Sequence, residues 1–383
     1  MSIYLDHNAT TPLDPRARAA MLPWLGERHG NPSSAHRFGQ EAREAIEEAR
    51  AQVALLLGGR PEQVVFMGSG TEANNAVLWS VARRRSFSGH LVISALEHPS
   101  IRVVAEDLVG LGMELTVLAP TAEGVLDPAA VEAALRSDTR LVCLMSANNE
   151  VGTLQPVAEV AAICRRQGVA LHCDAAQSVG KVGTCVQTLE ADTVTVAAHK
   201  FHGPLGAAAL WVSGDTDFRA HILGGGQERR RRASTENVAA LVGFGEIAKW
   251  AGRELEERQA HLRSLRDHFE KSLDRIEDVR IHCQGSPRLP HTSHVAFMGV
   301  EGEALTIRLD LAGFAVSTGS ACASGAVEPS PALLAMGLSP EEALASVRIS
   351  FGMTNNLDEV DRFLEALCRE VGALRRLAPS LES

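Results

Sequence analysis

The sequence has no long apolar run. None of its segments reaches the roughly 18 consecutive apolar residues that a membrane-spanning helix needs. Its first residues, MSIYLDHNATTPLDPR, also lack the basic stretch and following apolar run that mark a secretory signal peptide. We therefore expect a cytoplasmic protein that does not bind membranes.

Positive charge is in the minority. Lysine and arginine number 37 against 47 aspartate and glutamate residues, which gives a net charge of −10. An acidic balance argues against broad binding to nucleic acids. The basic run Arg229–Arg232 has no interleaved aromatic residues, so we interpret it as a solvated or phosphate-proximal loop.

Cysteine is infrequent and irregularly spaced. The seven cysteines are an odd number, and no Cys-x-x-Cys pair occurs among them. This pattern argues against a disulfide framework and against a structural zinc site. The segment HKFH could suggest another metal site, but no third ligand has suitable spacing, so we predict no metal.

Short apolar runs alternate with helical patterns along most of the chain. The runs are EQVVFM, HLVISAL, ELTVLA, RLVCLMS, VALHCDA and DTVTVAA. Continuous apolar runs are typical of strands buried on both faces. Their alternation with helices predicts an α/β fold, in which a mostly parallel sheet is flanked by helices.

The length of 383 residues is sufficient for two domains. After the motif GGGQER, the sequence predicts one long charged helix over roughly residues 239–276, followed by a second, smaller α/β pattern. We predict a large domain at residues 16–254 and a small domain formed by residues 1–15 and 255–383. The long helix would connect them.

Polar residues follow five of the apolar runs. These residues are the GSGTEANN turn with Gly70 and Thr71, then His98, Asn149, Asp174 and Lys200. Ligands in open α/β sheets bind beyond the carboxyl ends of the strands. A turn that opens a helix can bind an anion through its free N–H groups. We therefore predict a site at this edge of the sheet.

Asp174 and Lys200 indicate the kind of cofactor. A carboxylate can pair with a protonated pyridine nitrogen, and a lysine amine can form a Schiff base with an aldehyde. The alternative for Lys200 is an ordinary surface lysine, although its position directly after an apolar strand disfavours that interpretation.

Two further residues are candidates in the small domain. Cys322 lies in STGSACASGAVEPS, whose small residues predict a surface loop, where a thiolate would be accessible as a nucleophile. Arg348, in VRISFGMT, could bind a substrate carboxylate through two hydrogen bonds. The alternatives are an incidental surface thiol and a surface ion pair.

The chain as a whole resembles the cysteine desulfurases of the NifS/IscS type. These belong to the class V aminotransferases, which are fold-type I enzymes that use pyridoxal 5'-phosphate (PLP). The resemblance extends from YLDHNATTPLDPR to VRISFGMTN and includes, in order, GNPSSAHRFGQEA, GSGTEANN, EHPS, ANNEVGTLQPV, CDAAQSVGK, HKFHGPLG, GGGQER and STGSACASG. It implies that PLP-dependent chemistry transfers sulfur from L-cysteine to Cys322 and releases alanine.

The resemblance also implies a role for each candidate residue. Lys200 would be the Schiff-base lysine and the base at the substrate. The other cofactor contacts would be Asp174 at the pyridine nitrogen, Gln177 at the phenolic oxygen, His98 stacked on the ring, and Gly70, Thr71, His199 and Thr235 of the partner subunit at the phosphate. Asn149 and Arg348 would orient the substrate, and Cys322 would accept the sulfur.

The resemblance further implies a homodimer that delivers sulfur to acceptor proteins, such as an iron–sulfur scaffold or a tRNA-thiolation protein. The chain departs from the family pattern at Ala197 and Ala198, where Ser-Gly is usual, and at Ala233 and Ser234, also usually Ser-Gly. Weaker PLP binding is the expected consequence. The alternatives are another fold-type I enzyme, such as a selenocysteine lyase or an aminotransferase, and a sulfur-relay protein without enzymatic activity.

Overall fold

The computed structural model describes residues 2–318 and 328–377, so Cys322 lies outside the described part. The described strands are β1 (Ile3–Tyr4), β2 (Val64–Met67), β3 (His90–Ser94), β4 (Glu114–Leu118), β5 (Thr139–Cys143), β6 (Ala170–Asp174), β7 (Thr193–Ala197), β8 (Ala208–Val212), β9 (Val279–Ile281), β10 (Thr292–Phe297), β11 (Phe314–Ala315) and β12 (Ser346–Ser350).

The helices alternate with these strands. They are α1 (Pro15–Met21), α2 (Arg37–Leu57), α3 (Gly70–Arg84), α4 (Pro99–Gly110), α5 (Pro128–Ala134), α6 (Val157–Gln167), α7 (Val186–Leu189), α8 (Val238–Arg253), α9 (Leu255–Ser272), α10 (Gly302–Leu311), α11 (Pro331–Ala335), α12 (Pro340–Leu344) and α13 (Leu357–Leu377). Across residues 2–318 and 328–377, no helix combines the length and the apolar character that crossing a membrane requires.

Seven strands form the large sheet, in the order β2-β8-β7-β6-β5-β3-β4. β8 runs antiparallel to both of its neighbours, and the other pairings are parallel. The predicted α/β fold with a mostly parallel sheet is therefore confirmed. One expectation was wrong: β4 is not buried on both faces, because it lies at the edge of the sheet and is half-exposed.

A second group of strands lies near the C-terminus. β12, β10 and β9 form an antiparallel sheet, and β1 pairs with β11. A separate hydrophobic cluster includes residues from α9 and α13 together with Ile3 and Leu5 from the N-terminus. This packing agrees with a small domain built from both ends of the chain, although the boundaries at residues 15/16 and 254/255 stay a prediction.

The predicted continuous helix over residues 239–276 is wrong. The chain instead forms α8 and α9, and Glu254 between them has non-helical backbone angles. The Glu254 carboxylate accepts hydrogen bonds from Arg16, at 2.6 Å, and from Arg258, at 3.0 Å. Because Arg16 lies on α1, this ion pair ties the junction between the two helices to the large sheet's helical layer.

A buried ion pair fixes the loop that precedes α8. The two guanidinium Nη atoms of Arg50, on α2, donate to the two carboxylate oxygens of Glu228 at 2.6 and 2.8 Å. Arg50 also donates to the carbonyl of Val64, and Glu228 accepts from the backbone N–H of Phe66. Glu228 is held in the left-handed backbone region, with φ of 47°. The contacts with β2 therefore stabilise a loop conformation that would otherwise be unfavourable.

We predict that Glu228→Ala lowers the free energy of unfolding by about 3–5 kcal/mol, because it leaves the buried Arg50 guanidinium without its anion. Urea unfolding followed by circular dichroism measures the change. Glu47→Ala is the matched control, since Glu47 pairs with the same arginine but is exposed, and should cost at most about 1 kcal/mol. Equal losses for both variants would contradict the prediction.

Candidate active site

The structure brings the predicted strand-end residues to one edge of the large sheet. Asp174 ends β6, and Lys200 follows β7 in a short 3-10 turn, Ala198–Lys200. His98 precedes α4 and is close enough to both for their charges to act on its ring. Burial lowers the pKa of His98, Lys200 lowers it further, and Asp174 opposes the shift. The imidazole is therefore neutral at neutral pH.

Asp174 is held by a buried polar network. One carboxylate oxygen accepts from the side-chain amide of Asn74 at 2.8 Å, and the other accepts from the backbone N–H of Ala176 at 2.9 Å. His172 contacts the amide oxygen of Asn74, and its other ring nitrogen contacts Thr193. Burial lowers the pKa of His172 to about 4. These hydrogen bonds between uncharged side chains fix the orientation of the Asp174 carboxylate without adding a competing charge.

The hydrogen bonds of Ser100 determine the tautomer of His98. The Ser100 hydroxyl accepts from Asn74 at 2.8 Å and lies 2.8 Å from Nδ1 of His98. The backbone N–H of Ser100 also donates to this nitrogen, at 3.1 Å. Nδ1 is thus the acceptor, which assigns the ring proton of the neutral imidazole to Nε2.

Lys200 is tethered by backbone carbonyls. Its amine donates to the carbonyl oxygens of Asn8 and Ala9, both at 2.8 Å. Burial lowers the pKa of Lys200 to about 8, with a further decrease from Arg348 and an opposing effect of Asp174. Neutral carbonyls stabilise an ammonium less than a carboxylate would, so about a tenth of the amine is unprotonated at neutral pH, far more than for an ordinary lysine.

Sequence reasoning missed the part that the N-terminal segment plays. Besides the two carbonyls, the segment contributes Asp6, and the only signal for these residues was the polar stretch DHNATT after IYL. The Asn8 backbone N–H donates to the Ser350 hydroxyl, and its side-chain amide donates to Thr292 at 3.0 Å. The small antiparallel sheet therefore positions the carbonyl that holds Lys200.

Arg348 is a buried arginine with a partly satisfied guanidinium. It donates to the carboxylate of Asp6 at 2.7 Å and to the backbone carbonyl of Asn149 at 2.9 Å. Its Nε is buried and has no partner within residues 2–318 and 328–377. Asn149 accepts this hydrogen bond from Arg348 through its backbone carbonyl, whereas sequence reasoning considered the Asn149 side chain.

The N-terminus of α3 offers free donors. The Ser69 hydroxyl accepts from the backbone N–H of Glu72, while the N–H groups of Gly70 and Thr71 have no partner in the described part of the chain. The hydroxyl of Thr195, on β7, is buried and also lacks a partner there. Unpaired N–H groups at a helix N-terminus form an anion site.

Of the remaining predicted cofactor residues, His199 and Gln177 form hydrogen bonds with the N-terminal segment, whereas Thr235, among the described residues, does not. His199 contacts the Thr10 hydroxyl at 3.1 Å, and burial together with Lys200 lowers its pKa to about 4. Gln177 lies with the other site residues, where its amide nitrogen donates to the Asn8 carbonyl at 2.9 Å. Thr235 is exposed, and no hydrogen bond among the described residues joins it to the others.

The comparisons with known proteins assign the chain to a family. The profile of the family "Aminotransferase class-V" matches residues 3–363. The chain belongs to the class-V aminotransferase family. A cysteine desulfurase IscS of Dictyoglomus turgidum is 40% identical over 379 residues, which cover 98% of this chain and 96% of that protein.

Solved structures of the class-V aminotransferase family superpose closely. A NifS-like protein has a TM-score of 0.92 at 33% identity and covers 97% of this chain and 100% of its own. SspA in complex with cysteine has a TM-score of 0.82 at 31% identity, with 92% and 99% coverage. Class-V aminotransferases of the cysteine desulfurase type depend on PLP.

The donor set of this class-V chain fits PLP. Asp174 offers a fixed, 8% exposed carboxylate for a protonated ring nitrogen, and Lys200 offers a primary amine for an aldehyde. The unpaired N–H groups of Gly70 and Thr71 suit a phosphate. Each functional group of PLP thus has a chemically matching partner at this sheet edge.

We predict that Lys200 in the PLP-free protein reacts with an amine-specific acylating reagent with a midpoint near its pKa of about 8. The neutral fraction rises with pH, so the rate should already be near its plateau by about pH 9. Arg348→Met should raise the midpoint, and Asp174→Asn should lower it, because the cation lowers and the carboxylate raises this pKa.

The measurement is the pH-dependent rate of Lys200 modification, obtained by peptide mass spectrometry. Lys249, on α8, supplies the reference in the same digest. A Lys200 midpoint above about 10, where an unperturbed lysine titrates, would contradict the assignment.

Proposed function

We propose that this chain is a PLP-dependent cysteine desulfurase, which takes sulfur from L-cysteine, releases alanine and leaves a persulfide on Cys322. The observation that carries the proposal is that Asp174 ends β6 and Lys200 follows the adjacent strand β7 at one sheet edge, where the charge of Asp174 acts on the Lys200 amine, in a chain whose relatives are cysteine desulfurases. The SspA relative bound to cysteine supports L-cysteine as the substrate.

Several residues would hold PLP. Asp174 would pair with the ring nitrogen, Gln177 would donate to the phenolic oxygen, and His98 would stack on the ring. The phosphate would be bound by Gly70, Thr71, His199 and Thr235 of the partner subunit. When bound, PLP supplies an electron sink for bonds at the substrate α-carbon.

Lys200 would carry protons at the substrate. An amine with a pKa of about 8 is a competent base near neutral pH and, once protonated, an acid of matched strength. Its tether consists of two carbonyl hydrogen bonds, which break at modest cost when the amine moves. Arg348 would bind the substrate carboxylate, and its free Nε leaves donor capacity beyond the contacts with Asp6 and Asn149.

Cys322 is proposed as the sulfur acceptor from its sequence context. The burial of four other cysteines supports this choice. Burial raises the thiol pKa of Cys143 and Cys173 well above the ordinary value and that of Cys164 and Cys283 to about 12. A thiol with a raised pKa is a poor nucleophile, because the thiolate is the reactive form.

The proposed assembly is a homodimer that passes sulfur to an acceptor protein such as an iron–sulfur scaffold. Thr235 supports the dimer, since this exposed side chain has no hydrogen bond to the site among the described residues and could complete the phosphate contacts of a second chain. Location in the cytoplasm is part of the same proposal.

We predict that the protein incubated with PLP and L-cysteine forms alanine and a persulfide on the Cys322 peptide. Lys200→Ala should abolish alanine formation, because it removes the amine that is proposed to form the Schiff base and to carry protons at the substrate. Cys322→Ser should block the persulfide. The measurements are amino-acid analysis and peptide mass spectrometry.

Cys368→Ser is the matched control, since Cys368 is a partly buried thiol on α13. Alanine formation that continues at the normal rate in Cys322→Ser would instead indicate another lyase. Amino transfer to a keto acid would indicate an aminotransferase. Sulfur transfer without alanine formation would indicate a relay protein.

We predict that Arg348→Ala raises the KM for L-cysteine by roughly ten- to a hundredfold, the value of a charge-assisted hydrogen bond to a carboxylate. PLP affinity should change much less. Steady-state kinetics and PLP titration separate the two effects. Arg362→Ala, an exposed arginine on α13, is the control. An unchanged KM would leave Arg348 as a structural partner of Asp6.

A further inference from the structure

A second buried lysine lies next to the site. Lys181 is only 4% exposed, and its amine donates to the side-chain oxygen of Gln177 at 2.8 Å. No carboxylate pairs with it within the described residues. Burial lowers the pKa of Lys181 well below its ordinary value, and Lys200 and Arg348 lower it further. An amine buried without an anion is costly, and such groups usually have a functional reason.

Lys181 and Lys200 are joined by a continuous chain of hydrogen bonds. Lys181 donates to Oε1 of Gln177, and Nε2 of Gln177 donates to the Asn8 carbonyl. The same carbonyl accepts from Lys200. Gln177 is 6% exposed, so each of its polar atoms depends on a protein or ligand partner.

This series of hydrogen bonds determines how the Gln177 amide is oriented. The oxygen and nitrogen ends of an amide have nearly the same shape, so only the hydrogen-bond partners distinguish them. The Lys181 amine donates at one end, and the Asn8 carbonyl can only accept at the other. The amide nitrogen has two hydrogens, of which one serves Asn8, and the second stays available.

The surroundings of Lys181 offer its amine few other hydrogen-bond partners. A cavity of about 20 Å³ next to it is lined by His7, Lys200, His202, Arg258 and His291, among others. This volume has room for about one water molecule. Both ring nitrogens of His291 lack partners in the described part of the chain. None of the side chains that line the cavity is acidic, so no carboxylate there could accept a hydrogen bond from Lys181 in place of the Gln177 oxygen.

We propose that Lys181 is a positioning residue, which holds the oxygen of Gln177 so that the amide presents an N–H to the phenolic oxygen of bound PLP. This inference rests on the proposed function. Lys181 does not touch the cofactor, and its effect passes entirely through Gln177. The two residues are therefore expected to act as one unit.

The test is a double-mutant cycle on PLP binding. The PLP-free full-length protein is titrated with PLP in a Lys200→Ala background, so that covalent attachment does not mask affinity. Gln177→Met should weaken binding about tenfold and Lys181→Met about fivefold, as expected for one neutral hydrogen bond. The double variant should be no weaker than Gln177→Met. Both single variants should shift the visible absorption band of bound PLP in the same direction.

Two controls separate positioning from packing. Lys249→Met removes a lysine on α8 and should leave affinity unchanged. Lys181→Arg keeps a donor, and should bind PLP more tightly than Lys181→Met. Equal losses in both Lys181 variants, or a band that does not shift, would assign Lys181 a packing role only and overturn the inference.

The outcomes also separate this inference from the proposed function. Additive effects in the cycle, or unchanged affinity in Lys181→Met, would overturn the role of Lys181 and leave the desulfurase proposal intact. Failure of the parent protein to bind PLP would overturn both. If Lys181→Met does not fold, Lys181→Arg and Gln177→Met, each compared with the parent, still give the affinity and the band position that decide the question.

Discussion

The carbonyl group of Asn8 is the point on which the site depends. It accepts hydrogen bonds from Lys200 and from Gln177, at 2.8 and 2.9 Å. The Asn8 side chain donates to the backbone carbonyl of Asn149, which also accepts from Arg348. One residue thus connects the amine, the amide and the guanidinium. Its own position is fixed by Ser350, so the small sheet and the large sheet must be docked before the site exists.

Desolvation determines the pKa values of the groups around Asn8. Lys181, Arg348 and several histidines are buried beside the half-buried Lys200, while the carboxylates that act on Lys200 are Asp174 and Asp6. Removal of cations from water favours their neutral forms, and mutual repulsion adds to the effect. Arginine stays charged, so the pKa values of the lysines and histidines fall instead. A base at Lys200 is therefore a consequence of where the fold buries its positive groups.

The sequence was sufficient to predict which strands end in polar candidate residues. Asp174, Lys200, His98 and the α3 turn follow apolar runs, and the order of elements in an α/β fold places strand ends together. The resemblance then supplied roles that composition and periodicity do not contain. Cys322 lies outside the described residues, so its role rests on the sequence alone.

Other features could not be predicted because they depend on contacts between distant parts of the chain. The bond from Asn8 to Ser350 spans 342 residues, and that from Lys200 to Asn8 spans 192. Backbone carbonyls have no sequence signature, which is why the parts of Asn8 and Asn149 were missed. The break at Glu254 was missed for a similar reason, since its partner Arg16 comes from the other end of the chain.

The departures at Ala197 and Ala198 are explained by local packing. Gly70 lies opposite Ala197, and a side chain at Gly70 would meet its methyl group at an ordinary 3.6 Å. Ala198 has its space because Gly203 faces it, where a methyl group would come within 2.7 Å. The strand therefore accommodates both alanines without strain. The hydroxyl that a serine at position 197 would supply is absent, but the free N–H groups of α3 and the buried hydroxyl of Thr195 are present. Since helix N-terminal N–H groups bind anions without any side chain, the loss of one hydroxyl leaves the proposed phosphate donors of α3 in place.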